Sequence, residues 1–183
     1  GSVEGQIFHR GAVAALAPEE TRIDGRLVSL VRKDLVRRER PVVADDEAFR
    51  FRHLLIRDTA YEGLPKAVRA ELHERFAAWL NSHADELVES YELVGYHLDR
   101  AYRYRVELGP PDDAAHTLAE RAAESLLVGA ERARARGDNG GVGTLLSRAV
   151  ELLPADSPER RAALVELAVV LTERGDFPGA EAA

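Results

Sequence analysis

From His53 to the end of the chain, apolar residues recur almost wholly at the spacing of helix faces. That period leaves room for very little sheet and points to a mainly α protein. Leu54, Leu55, Asp58 and Tyr61 outline one short helix closing near Gly63, with Phe51 and Leu55 expected to anchor its start in the core. Pro65 suits a first helical position, and Val68, Leu72, Phe76, Trp79 and Leu80 form the next stripe. Tyr91, Val94, Leu98, Ala101 and Tyr102 mark another helix. Ala115, Leu118, Ala119, Ala122, Leu126, Ala130 and Ala133 then give one long face, rich in alanine, the best helix former. Ser157-Pro158 reads as an N-cap followed by a first-turn proline, ahead of Leu164, Leu167, Ala168 and Leu171.

The first third is different. Val13, Leu16 and Ala17 give a short helical stripe ending at Pro18, and Ile23, Leu27, Leu30 and Val31 keep the helix period. Leu35-Val36-Arg37-Arg38 is extended in character, and Phe49-Arg50-Phe51-Arg52 alternates with the period of a half-buried strand. A polar connection with Pro41 and Asp45-Asp46-Glu47 joins them, so the pair reads as a β-hairpin following two helices. The expected architecture is mainly α: a winged-helix-like module with a small β-hairpin over 1–82, a helical connector over 83–110, and antiparallel TPR-like hairpins over 111–183. Gly109-Pro110-Pro111 is the strongest local break and the natural domain boundary.

An internal echo supports the repeat assignment. Arg136-Gly137-Asp138 returns as Arg174-Gly175-Asp176, an offset of about 38 residues, near the length of helical-solenoid repeats. Each copy follows one helix and precedes another; Leu145, Leu146, Ala149, Leu152 and Leu153 supply the second helix of the first copy. The second copy stops at Ala183. The chain has no methionine and so reads as a segment cut from a longer protein.

Chemistry-bearing motifs are few. The absence of cysteine excludes disulfides, thiolate metal sites and a cysteine nucleophile, and fits a reducing, cytoplasmic setting. No apolar run is long enough to span a bilayer, so no membrane partner is expected. Gly137-Asp138-Asn139-Gly140-Gly141-Val142-Gly143 lacks the Gly-Lys-Ser/Thr ending of a phosphate-binding loop and reads as an inter-helix turn. His73-Glu74 opens like a zinc-protease helix, but Ala77 stands where the second histidine belongs. His83, His97 and His116 have no ligand-like spacing and read as exposed or packed helical histidines. Glu71 and Glu74, beside Arg69 and Arg75, read as a solvated face. No metal site and no catalytic residues are expected, and the chain reads as a non-enzyme.

Two features stand out. Positions 22–52 hold nine cations against six acids, a local excess of positive charge in a chain of net charge -7. Arg32, Lys33, Arg37, Arg38, Arg50 and Arg52 are its candidate interface residues. A winged helix can present such a patch to duplex DNA; it can equally face an acidic or nucleotide-bearing neighbouring domain. The second is favoured, because acids interrupt the patch and no polar recognition set stands out. The other feature is His53 with Arg57, one helical turn apart at a strand-to-helix junction. His53 there either donates to a phosphate, aided by helix N-terminal N–H groups, or simply packs and caps the junction.

Several stretches together resemble a known family. They are Ser2 to Val13, Leu30 to Arg37, Phe49 to Tyr61, and Leu64-Pro65-Lys66-Ala67-Val68-Arg69-Ala70-Glu71-Leu72-His73. They resemble the segment that follows the nucleotide-binding domain in bacterial STAND-type signalling ATPases, including adenylate/guanylate cyclase-associated and LuxR-type regulators with C-terminal TPR repeats. The Phe-Arg-Phe-Arg-His block is the most specific part, although Leu54 stands where the family often has Asp or Pro. The resemblance implies a winged helix packed on an upstream ATPase domain of the same chain, with ATP or ADP bound there and no cofactor in this segment. It implies that His53 senses the β-phosphate of ADP, and that the repeats receive a protein or small-molecule inducer. The alternative reading is a DNA-binding winged-helix regulator with a helical sensing or oligomerisation domain.

Overall fold

A computed structural model describes residues 1–85, 87 and 89–182. Among these residues are nine helices and one three-stranded antiparallel sheet, so the protein is mainly α with a small β element. The chain falls into two units, Gly1–Val88 and Glu89–Ala183. The unit boundary therefore lies ahead of Gly109-Pro110-Pro111, which joins two helices of the second unit. The helix read from sequence as a connector belongs to that unit too. Of the expected repeat segment 111–183, Ala183 lies outside the described residues.

The first unit begins with β1 (Ile7–His9), α1 (Arg10–Leu16) and α2 (Ile23–Arg32). β2 (Val36–Glu39) and β3 (Ala48–Phe51) form the expected hairpin. β1 then pairs with the other edge of β3, Phe8 opposite Phe49, to give the order β1-β3-β2. Three residues are too few to display a period, so this strand is silent in the sequence. Its place is set by aromatic packing: Phe8 stacks on Phe49 at 5.7 Å and meets Phe51 in a tilted pair at 5.0 Å between ring centres. Leu27 and Val36 complete this core, with Val13, Ile23, Leu30, Val31 and Ile56 against it.

α3 (Leu54–Glu62) follows β3 directly and α4 (Lys66–Ser82) follows after a short turn, with Pro65 as the N-cap, one position earlier than expected. α4 buries Ala70, His73, Phe76, Ala77, Trp79 and Leu80 and packs on α1. His73 is a packed histidine bonded to the Tyr61 hydroxyl at 2.7 Å.

A polar pair ties β1 to the N-terminal segment. His9 is buried, stacks on Trp79 at 5.9 Å, and holds Glu4 through Nδ1 at 2.5 Å. In the neutral ring its Nε2 accepts the Val42 N–H at 3.2 Å, a bond that protonation gives up. The hydrogen bond to Glu4 raises the His9 pKa above its ordinary value against the opposing effect of burial. A raised histidine pKa adds stability that is complete below the unfolded value and is lost as pH rises through the folded one. Variant and parent are therefore compared at each pH. Glu4→Gln is expected to lower the His9 pKa by NMR and to cost about 1 kcal/mol of stability near pH 6. That difference should shrink as pH rises past the parent's His9 titration; a constant difference across this range rules the pair out as its source.

The second unit is a run of helices in which each packs on the next: α5 (Ser90–Leu108), α6 (Asp113–Ala135), α7 (Asn139–Leu152), α8 (Pro158–Glu173) and α9 (Phe177–Ala182). Every alanine and leucine of the expected α6 face is buried. Gly95 and Gly129 let α5 and α6 approach: a Cβ on Gly95 would lie 2.7 Å from Leu126 Cγ, and one on Gly129 would lie 3.0 Å from Glu92 Cγ. Asp99, only 1% exposed, ties α5 to α7 by accepting from Arg148 and from Arg103 Nε, the latter at 2.7 Å.

The Arg-Gly-Asp echo has a local cause. Arg136 is the C-cap of α6 and Gly137 takes a left-handed φ of 76°. The N–H groups of Gly137 and Asp138 return to the carbonyls of Arg134 and Ala133, the Schellman pattern. Asp138 then caps α7 by accepting the Gly141 N–H at 2.8 Å. Arg174, Gly175 at φ 78° and Asp176 repeat each step, with Asp176 accepting from Gly179 at 3.0 Å. The glycine-rich run is thus not all turn: Gly140, Gly141 and Gly143 lie inside α7. Gly143 faces α8, where a Cβ would meet Val170 at 3.5 Å and Arg174 at 3.3 Å.

Candidate functional site

The candidate residues of the first unit separate into two groups. Arg37, Arg38 and Arg50 stand on the hairpin and are held by acids. Arg37 and Arg50 are register partners. Both reach Glu39, Arg50 Nε at 2.5 Å and Arg37 at 3.6 Å, and Arg38 pairs with Glu47. The Arg50 hydrogen bond holds the Glu39 carboxyl below the usual carboxylate range. This surface is a ladder of paired charges, three arginines sharing two carboxylates.

The second group gathers where α2 ends and α3 begins. Asp34 closes α2 with a left-handed φ of 56° and meets Arg52 at 2.6 Å. The Arg52 N–H donates to the Leu35 carbonyl, which pins the end of β3 beside the end of α2. Arg32 and Lys33 directly precede Asp34, His53 directly follows Arg52, and all four cationic or histidine side chains are exposed. No ion pair of Arg32 or Lys33 occurs among the described residues. His53 is the N-cap of α3 with extended backbone, and its side chain makes no capping bond. The Ile56 N–H turns back to the His53 carbonyl at 3.1 Å, and the positive end of the α3 dipole with the Leu54 and Leu55 N–H groups is left to solvent or a partner.

Two expectations change here. Leu55 does not anchor α3: it is 75% exposed and Leu54 is 53% exposed, while Ile56 packs on the core. α3 touches the sheet lightly and buries no residue completely, so its phase is set by Ile56 and not by the leucine pair. Arg57 does not join His53 either. It donates to the Ser2 carbonyl at 3.2 Å and to Asp58 at 2.7 Å, and lies over the Tyr61 ring. It fastens the N-terminal segment to α3. The resulting site is His53, Leu54 and Leu55 on an uncapped helix start, flanked by Arg52, Lys33 and Arg32. It can accept an anion and bury an apolar contact in one docking event.

In the second unit the sequence reading missed a hollow of about 410 Å³ between α6, the end of α7 and the start of α8. The signal was available: Glu120 and Glu124 are like charges one turn apart with no cation assigned to them. Among the described residues no group of three His, Asp or Glu side chains could hold a metal ion, and no helix is long and apolar enough to cross a membrane. Compared with known protein families and with curated proteins, the sequence has no match.

Proposed function

We propose that this chain is a non-catalytic regulatory segment of a STAND-type signalling ATPase that works in the cytoplasm. Its first unit, winged-helix-like in this reading, docks on a nucleotide-binding domain of the same chain. Its second unit, a TPR-like array, receives a protein or small-molecule inducer. One observation carries the reading. The most family-specific block, Phe49 to His53, buries Phe49 and Phe51 but leaves His53 exposed, with Leu54 and Leu55 exposed after it at an uncapped helix start. Two exposed adjacent leucines beside a histidine, with Arg32 and Lys33 at the nearby end of α2, suit a covered interface better than a bare surface. An ADP phosphate held by the docked domain would meet His53 and the α3 N–H groups. The DNA-binding alternative loses support because Arg37, Arg38 and Arg50 are engaged by Glu39 and Glu47.

The test uses the chain joined to its nucleotide-binding domain, purified with and without His53→Ala, and quantifies co-purified ADP. Loss of ADP in the variant alone is the expected result. Equal ADP in both removes the phosphate-sensing role. No ADP in either weakens the ATPase reading itself and moves the DNA-binding alternative to the front, where a low-salt duplex titration decides it.

A further inference from the structure

We infer that the hollow beside α6 is a docking site for a basic peptide segment, one that inserts an apolar side chain between flanking lysines or arginines. The inference concerns the second unit only and goes beyond the nucleotide-dependent role of the first.

The floor of the hollow is apolar. Leu127 comes from α6, and Leu153 and Pro154 come from the chain leaving α7. Its volume of about 410 Å³ is in the range of small-ligand clefts. The rim is acidic on two sides. Glu120 and Glu124 project from successive turns of α6, and Glu159 faces them from the first turn of α8. All three carboxylates are exposed. None has an ion-pair or hydrogen-bond partner among the described residues.

The two arginines that follow Glu159 in the chain are engaged by backbone carbonyls. Arg160 Nε donates to the Val150 carbonyl at 3.1 Å, and Arg161 donates to the Asp156 carbonyl at 2.7 Å. Ser157, also in the lining, is occupied as the α8 N-cap. Elsewhere in the same unit, acids are matched to arginines across helices: Arg134 with Glu166, Arg136 with Glu92, and Arg103 with Glu151. Glu159 is accounted for by its place at a helix N-terminus. Glu120 and Glu124 are not, since like charges one turn apart weaken a helix.

Charge complementarity selects the occupant. The second unit holds seventeen acids against eleven arginines, so most of the chain's negative charge lies in it. An anionic ligand is repelled at this rim. A single small cation neutralises only part of it, because the carboxylates come from opposite sides of the hollow. A peptide with cations on both sides of an aliphatic residue meets the rim and the floor together.

The experiment titrates the full chain into a fluorescein-labelled peptide, Lys-Leu-Lys-Lys-Leu-Lys, and reads anisotropy at low salt. Hexalysine with the same label is the apolar control. The variant is Glu120→Gln/Glu124→Gln/Glu159→Gln, which changes only exposed groups. Its charge-matched control is Glu89→Gln/Glu131→Gln/Glu173→Gln, exposed carboxylates that do not line the hollow. The expected result is binding of the leucine-containing peptide with a Kd on the order of 100 µM, weakened about tenfold in the rim variant and less than about twofold in the control. Hexalysine should bind about tenfold more weakly than the leucine-containing peptide. Equal weakening by both triple variants reduces the effect to bulk acidity and overturns the site. Equal binding of the two peptides removes the role of the apolar floor and overturns it as well, and so does no binding of either peptide up to about 1 mM.

Discussion

Phe49→Ala is expected to cost the first unit about 4 kcal/mol, most of what a small unit has to lose. Phe49 is 3% exposed, stacks on Phe8, and sits in the central strand where both β1 and β2 are paired. Removing its ring opens a cavity at the one place where α2, the sheet and α3 are all held to a single cluster. Trp79, the only tryptophan, lies in this unit and stacks on His9, so its fluorescence follows unfolding there. The measurement is a urea titration read at Trp79. A midpoint shift worth less than about 1.5 kcal/mol would mean that the aromatic cluster is not the organising core of the unit.

Gly95→Val is expected to destabilise the second unit by about 3 kcal/mol, and Gly95→Ala by less but with the same sign. A Cβ at position 95 would stand 2.7 and 2.9 Å from two side-chain carbons of Leu126 and 3.1 Å from its backbone N. Leu126 is completely buried, so it has nowhere to go, and α5 and α6 must separate. The sign is the informative part. On an open helix surface, alanine is better than glycine by about 1 kcal/mol. Gly25 supplies that comparison in the same chain: it is helical, a Cβ there would have nothing within 4 Å, and Gly25→Ala should stabilise. Thermal melts followed by far-ultraviolet circular dichroism test the pair of substitutions. If Gly95→Ala stabilises as Gly25→Ala does, the close α5–α6 contact is not what Gly95 serves.

Much of this architecture is legible in the order of residues alone. The α6 stripe from Ala115 to Ala133 maps residue for residue onto the buried face, because small and aliphatic side chains at helix spacing have few alternatives. The hairpin is legible from a change of period at Phe49. What stays hidden shares one cause: burial is decided by neighbours and not by the residue itself. Leu54 and Leu55 look like core in a stripe, yet Ile56 takes the contact and turns them outward. Gly109-Pro110-Pro111 is the loudest local signal, yet it joins two helices that pack together, while the unit boundary falls in an unremarkable stretch of charged and aliphatic residues. Gly143 reads as a loop residue until Val170 is seen against it. At the candidate sites the residue types are readable and their pairings are not. Nothing in the order of residues says that Arg50 spends its charge on Glu39 while Lys33 does not.

The Arg-Gly-Asp joint has a consequence for how such a chain can grow. Every bond that turns α6 into α7 is made by residues of the joint and the helix ends it connects, and the same holds between α8 and α9. The turn and its cap ask nothing of distant sequence; only the Arg136 side chain leaves the joint, for Glu92 on α5. A stretch of gene coding for helix, joint and helix can therefore be duplicated or deleted in frame and still supply its own punctuation. What selection must then tune is only the face each new helix shows its predecessor: glycine and alanine with two leucines on α6, and Ala163, Leu167 and Val170 on α8.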